Sequence, residues 1–430
     1  MWQMKKQMKS SFALVLVFMS NVFSLNAFAA VEPLQLSTVF QRALKKNESV
    51  DIQSELHLQS QEQVKQAQGA LFPTINGIAS ILKQETPATA SNISPGEQKN
   101  VRINLVQPLF RGLREYAALR KAHKGQENAD ANLAQAKMQL WMDVATAYYQ
   151  VLIFRSEKNN IQTSLDLNQK RLDELNRFKK IGRSRESESL ALQANMAALE
   201  SSMAGAEAQL AAAEGSLAWV MNREVMPDQT LVDSVKIPEE LKPLTWFSEK
   251  IASRPDLKAM QLNAENSTED VTIARGGHLP SLDLLGNYYF VRPGFLQNVS
   301  WDVQLQLTIP LFQGGVIQSQ VREASSRQKQ ADLFHERSKR QALDQIQALY
   351  ELVKGELLQS VKQKKAVELS QKNYQAEVRD YRLGLVTHLE VLQSLTSAQD
   401  NQRLADRLEY QTKSDYLRLM ALANREEILQ

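Results

Sequence analysis

The sequence is written twice, and a chain that repeats itself over most of its length folds as two like units. Gln107-Pro108-Leu109-Phe110-Arg111-Gly112 has its counterpart in Ile309-Pro310-Leu311-Phe312-Gln313-Gly314. Farther along, Phe178-Lys179-Lys180-Ile181-Gly182 matches Tyr381-Arg382-Leu383-Gly384 in character. The interval from Pro108 to Gly182 equals that from Pro310 to Gly384, so no gap separates the copies there. Upstream, Leu71-Phe72-Pro73-Thr74-Ile75 corresponds to His278-Leu279-Pro280-Ser281-Leu282, and Asn47-Glu48-Ser49-Val50 to Arg254-Pro255-Asp256-Leu257. The one change in length falls between Pro73 and Pro108, where the first copy is about five residues longer. A loop at 87–96 absorbs such an insertion.

Within each unit the apolar period switches from helical to strand-like and back. Residues 37–69 read as a helix with Ser37 as N-cap, a hairpin follows over about 74–108, and a second helical stretch runs over 113–181. In that stretch Leu133, Ala136, Leu140, Val144, Tyr148, Val151, Leu165, Asn168, Leu172 and Leu175 step by threes and fours. This is coiled-coil spacing, with Asn168 as a polar interruption. The second unit reads as a helix over 247–277, a hairpin over 281–310 and a long helix over 315–381 carrying Ala342, Ile346, Leu349, Val353, Leu357 and Val361. Helices of this length reach on the order of 100 Å, far beyond the globular average. After Gly182 and Gly384 shorter helices return over 186–222 and 388–424. Two short helices end to end then match each long one. The first unit spans 30–222 and the second 247–430; the segment 223–246, with Pro227, Pro238 and Pro243, joins them.

The strand segments alternate. Val299, Trp301, Val303, Leu305, Leu307 and Ile309 interleave with Ser300, Asp302, Gln304, Gln306 and Thr308. Leu282, Leu284, Tyr288 and Phe290 stand against Asp283 and Asn287, and Val101, Ile103 and Leu105 against Arg102 and Asn104. Period-two alternation of this kind suits a transmembrane barrel strand, apolar toward lipid and polar toward a lumen. A sheet packed on one face of a soluble domain gives the same pattern in any single strand. Geometry separates the two readings. Four strands cannot close on themselves, open edges are not tolerated in hydrocarbon, and the smallest membrane barrels need eight strands. Three chains sharing one barrel supply twelve.

At the N-terminus Lys5, Lys6 and Lys9 precede an apolar run over 12–25, and Ala27-Phe28-Ala29 supplies a small-residue cleavage site. Residues 1–29 therefore read as a signal peptide, with the mature chain beginning at Ala30; an uncleaved anchor is the alternative. No later segment is long and apolar enough for a membrane helix. Lys and Arg total 51 against 48 Asp and Glu, and no basic stripe with interleaved aromatics appears, which argues against nucleic acid. With no cysteine there is neither a disulfide nor an acceptor for a lipid anchor.

On the duplicated plan, Arg254-Pro255-Asp256-Leu257, the paired proline-flanked hairpins, and Leu383-Gly384-Leu385-Val386-Thr387 followed by Leu389-Glu390-Val391-Leu392, the chain resembles the TolC-like outer-membrane efflux and secretion family over nearly its whole mature length. The absence of cysteine places it with the unlipidated branch. The resemblance implies a fold that is mainly α with a membrane β-barrel: a homotrimer whose twelve-stranded barrel sits in outer-membrane lipid and continues into the periplasm as a helical tunnel. It implies an exit duct of a tripartite efflux or type I secretion system, docking a periplasmic adaptor and an inner-membrane pump of the ABC or resistance-nodulation-division type. The segment 223–246 would form a belt around the tunnel.

The resemblance also nominates residues. Leu383, Gly384, Leu385 and Thr387 at one helix turn, and Gly182 and Arg183 at the other, would meet the adaptor; helix termination explains the two glycines equally well. Arg183 departs from the apolar residue expected there. Glu390 matches an acidic ring at the tunnel aperture, with Gln393 where a second acidic residue would stand and Glu188 as the first-unit equivalent of Glu390. Thr387-His388-Leu389-Glu390 is also a capping box, which accounts for Glu390 locally. Tyr381 matches a position that hydrogen-bonds an acidic residue on the neighbouring helix, here Glu188, and holds the aperture closed; a seam tyrosine is the plainer reading. Val386 stands where some relatives carry a latching arginine. No nucleophile arrangement, phosphate loop or metal-ligand spacing is present, and the 5 histidines are scattered, so neither catalysis nor a cofactor or metal is expected. The rival readings are a non-channel periplasmic coiled-coil adaptor or scaffold, which leaves the alternation over 299–309 unexplained, and an outer-membrane barrel enzyme, which lacks a reactive group.

Overall fold

The computed structural model describes residues 34–85, 96–222 and 231–424. The leader over 1–29, most of the 87–96 loop and the start of the joining segment lie outside these residues. In each unit a helical pair, a β-hairpin, a very long helix and a shorter returning helix follow in order.

The first unit comprises α1 (Leu36–Leu44), α2 (Glu48–Gly69), β1 (Thr74–Lys83), β2 (Glu97–Arg111), α3 (Arg114–Lys180) and α4 (Glu186–Val220). The second comprises α5 (Leu244–Ser248), α6 (Pro255–Gly276), β3 (Ser281–Val291), β4 (Trp301–Thr308), α7 (Val316–Leu383) and α8 (His388–Leu422). Two of the expected helices are interrupted. Residues 37–69 break between α1 and α2, where the Asn47 side chain accepts from the amides of Ser49 and Val50 and starts a new helix. Residues 247–277 break before α6, where Pro255 occupies the first turn and Asp256 holds Arg254 through two bonds of 2.7 and 2.6 Å. Proline is preorganised for a helix start and lacks the amide that would go unused there.

The duplication reaches the caps. Asn222 and Asn424, just past α4 and α8, both have positive φ, 47° and 51°. The Asn222 amide donates to the Lys46 carbonyl and that of Asn424 to the Ser253 carbonyl. Each asparagine thus ties the end of its returning helix to the segment preceding α2 or α6.

The four strands form one antiparallel sheet in the order β1-β2-β3-β4. The helices lie in a row of the same kind. Toward the sheet the neighbours run α2, α3, α6, α7; toward the far end they run α4, α3, α8, α7. Both rows are open, with β1, α2 and α4 on one flank and β4 and α7 on the other.

The buried core sits at mid-length of the long helices. Val39 and Phe40 of α1, Leu140 to Leu152 on one side of α3, Leu217 and Val220 of α4 and Leu231 form one cluster. Phe247 and Leu257, Ala342 to Val353 of α7 and Leu419 and Met420 of α8 form a second. The joining segment is bound here: Leu34 and Leu231 make a parallel bridge, and the single proton of the buried Tyr148 hydroxyl is shared between the carbonyls of Leu34 at 2.8 Å and Val232 at 2.7 Å. Asp233 accepts from the Tyr149 hydroxyl and pairs with Lys413. This shared bond, contributing about 1 kcal/mol, fixes the segment to α3.

Candidate functional site

Two regions carry side chains that the core does not require: the helical turns farthest from the sheet, and one face of the sheet.

At the turns, α3 and α7 end alike. Gly182 and Gly384 have φ of 75° and 79°. The next amides, Arg183 and Leu385, reach back to the carbonyls of Phe178 and Asp380 at 2.9 and 3.0 Å. This six-to-one bond with a left-handed glycine satisfies the last carbonyls of a helix. The nominated tip residues Leu383 and Leu385 are 73% and 71% exposed, so the second turn ends in an apolar knob that the other described residues leave uncovered. Arg183 is not free in the same way: its guanidinium donates to the Arg382 carbonyl at 3.3 Å and lies 5.6 Å from the Phe178 ring, joining the two tips.

Thr387 caps α8 and Glu390 closes the box. The Glu390 carboxylate accepts from the Thr387 amide at 2.6 Å and from its hydroxyl at 2.9 Å. Those bonds hold the Glu390 carboxyl below the usual carboxylate range, so an ionised group stands at the tip.

The structure brings Tyr381 and Glu188 together. The Tyr381 hydroxyl donates to Glu188 Oε2 at 3.2 Å, and Ser184 donates to the same oxygen at 2.6 Å. Burial first, then the Glu188 charge, raises the Tyr381 hydroxyl above its ordinary value, which keeps it a donor. Two neighbours were not nominated from sequence. The Arg171 guanidinium lies 4.4 Å from the Tyr381 ring, only 5% exposed, and pairs with Glu174 at 2.6 Å. His388, 3% exposed, meets the same ring edge to face at 6.0 Å. Glu174 also accepts from Arg382 at 3.3 Å. The ends of α3, α4, α7 and α8 are thus linked through one tyrosine and two carboxylates. Nothing in the sequence marked Arg171, since a charge on a long helix reads as surface; His388 stood inside the capping box and could have been found there.

The sheet has two unlike faces. Ile75, Ile81, Val101, Ile103, Tyr288, Phe290, Trp301, Val303, Leu305 and Leu307 are all exposed. The opposite face carries a polar row of four residues in register: Asn76 opposite Asn104, Asn104 opposite Asn287 and Asn287 opposite Asp302. Asn104 donates to Asn287 at 3.1 Å, and Asn287 to Asp302 at 2.8 Å. A bulge lets β2 continue through Pro108 to Arg111, where a missing amide is tolerated, and it brings Arg111 to Asp283 at 2.9 Å on the polar face.

Among the described residues no group of three or more His, Asp or Glu side chains is placed to hold a metal, and no helix is long and apolar enough to cross a membrane.

The outer membrane efflux protein family matches this chain over residues 39–223 and 246–425. No curated protein matches it. Among solved structures, the outer membrane protein VceC of Vibrio cholerae superposes with a TM-score of 0.78 at 20% identity, over 90% of this chain and 96% of that one. A membrane protein from Pseudomonas aeruginosa gives 0.81 at 16% identity, over 90% of each chain. The CmeC outer membrane channel of Campylobacter jejuni gives 0.77 at 16% identity, over 90% of this chain and 85% of that one. Likeness at such identities shows the shared fold, while the matched residues cover most of the sequence. The chain belongs to the outer membrane efflux protein family: it is an efflux duct of the bacterial outer membrane that extends into the periplasm, and not an enzyme.

Proposed function

We propose that three copies of this chain close into a twelve-stranded barrel and a helical tunnel, forming the exit duct of a tripartite efflux or type I secretion assembly. The observation that carries this reading is the two-faced, open-edged sheet. An exposed apolar face suits lipid, and a polar face suits a water-filled lumen. Unpaired edges at β1 and β4 are costly in hydrocarbon until another chain pairs with them. The open helix row has its free flanks on the same two sides, so one three-fold operation closes both. The adaptor or scaffold alternative gives no role to an exposed apolar sheet face.

In this reading residues 1–29 direct export and are removed, residues 30–222 and 247–430 are the two units, and 223–246 belts the tunnel. Leu383, Gly384, Leu385 and Thr387, with Gly182 and Arg183, meet a periplasmic adaptor that connects the duct to an inner-membrane pump of the ABC or resistance-nodulation-division type. The exposed Leu383 and Leu385 support an apolar contact at the second turn, and Arg183, already engaged, supports a weaker one at the first. The Tyr381–Glu188 bond latches the aperture, and three ionised Glu390 carboxylates ring it while capping α8.

The test uses detergent-purified protein. Its mass is expected to be that of a trimer, and planar bilayers are expected to show small conductance steps that rise several-fold in Tyr381→Phe with Glu188→Ala. Protein released without detergent, or a trimer that never conducts, overturns the duct. Conductance unchanged in the double variant overturns the latch alone.

A further inference from the structure

The polar face of the sheet carries an unbalanced charge at one level, at the end away from the helices. Arg102 on β2 lies with its guanidinium carbon 5.8 Å from the centre of the Tyr289 ring, and Arg292, one residue past β3, lies 4.1 Å from the same ring. Arg292 reaches this face through a bulge. Val101 pairs with Val291 and Arg102 with Tyr289, so Phe290 is the extra residue and the alternation is reset beyond it. Bulges commonly re-aim a side chain in this way. Asp302 pairs with Arg292 at 3.2 Å and is held in place by Asn287.

Arg102 has no such partner. Among the described residues no carboxylate stands within ion-pair distance of it, and its Nε is buried without a hydrogen bond. The other charged pair on this face, Arg111 with Asp283 at 2.9 Å, is balanced. One positive charge per chain is therefore left over at the level of Tyr289. A guanidinium with unmatched charge beside an aromatic ring suits a planar or tetrahedral anion, through its charge and stacking.

We propose that Arg102, Arg292 and Tyr289 form an anion-attracting collar in the outer part of the lumen, favouring exit of cargo that bears carboxylate or phosphate groups. The collar rests on the trimeric barrel proposed above. Three-fold closure sets three copies of the cluster at one level of a pore, where low-dielectric walls focus the field of the excess charge. Rings of charged side chains are how such pores bias the ions they pass. The collar is opposite in sign to the Glu390 carboxylates at the far end of the helices, so an anion crossing the duct meets repulsion early and attraction late.

The experiment is a reversal-potential measurement on the trimer in planar bilayers under a KCl gradient. Arg102→Gln with Arg292→Gln is expected to raise the potassium-to-chloride permeability ratio about two-fold. Asp302→Asn is expected to lower it by a similar factor, and Arg102→Lys with Arg292→Lys to leave it near the parent value. Should the double glutamine variant fail to assemble, the Asp302→Asn and lysine variants carry the test. Neutralisations that leave the ratio unchanged in a conducting trimer overturn the collar and leave the duct standing. A parent protein that forms no channel overturns the barrel and the collar with it.

Discussion

His388 is buried at the turn between α7 and α8 beside a guanidinium, a poor place for a second positive charge. Burial and the Arg171 charge both hold its imidazole below the ordinary value of 6.5, while Glu188 works against them. The sign of the pH dependence follows. A base whose folded pKa is depressed takes up a proton more readily when the structure opens, so the local structure is stable above the ordinary value and weakens as pH falls below it. Both ring nitrogens lack a partner, so a proton gained there has no acceptor to repay it. Acidification is therefore expected to lower amide protection factors, taken relative to the intrinsic exchange rate at each pH, at residues 178–188 and 381–390 in the parent. In His388→Gln that loss of protection should be largely absent. Equal loss of protection in both proteins would remove His388 from the account.

The helix pair α7–α8 contains an opposite case. Glu356, 9% exposed, has its carboxyl raised to about 7 by burial and by Asp415 across the pair, and Asp415 also accepts from Gln411 at 2.7 Å. Here the folded state holds the proton more tightly than the unfolded chain. The stability is present below 4.5 and is lost as pH rises through about 7. Glu356→Gln, which fixes the neutral form, is expected to flatten the fall in thermal midpoint that the parent shows on the alkaline side. A parent midpoint independent of pH across that window would refute the raised Glu356 carboxyl. The same elements show what sequence could and could not disclose. The length of α3 and α7, their glycine stops and the Thr387–Glu390 cap were legible because each follows from local spacing. The break before α6 was also signalled, by Pro255, yet the helical period on both sides concealed it. The passage of β2 through Pro108 was not legible, because it depends on β3 pairing from the other unit. The core around Tyr148 hid its hydroxyl partners for the same reason: Leu34 and Val232 are distant in sequence. Arg171, Glu356 and Asp415 looked like ordinary surface charges, since nothing in a coiled-coil pattern announces that a charge is buried.

At the scale of the whole molecule the open flanks are the unresolved cost of the single chain. Along its exposed side α7 leaves Leu333, Phe334, Leu352, Leu358, Val361 and Leu369 uncovered, and on the opposite flank α2 leaves Ile52, Leu56 and Leu58. An apolar surface extending along so much of a helix is large for a monomer in water. The covalent order sets β1 after α2 and β4 before α7, so the chain that pairs its β1 with β4 also brings its α2 and α4 against α7. In the trimer proposed above, barrel closure and tunnel closure are then one event, and each side of the seam lacks what the other supplies. Leu358→Glu with Val361→Glu puts two carboxylates per chain into that seam, far from the sheet and from the latch. The expected result is loss of the trimer on size exclusion with light scattering, with helix content by circular dichroism unchanged. Because the sheet edges are left without partners, the variant should also fail to conduct, although no strand residue has been altered. Trimers that form normally would show that α7 is not the seam and that the barrel closes independently of the helices.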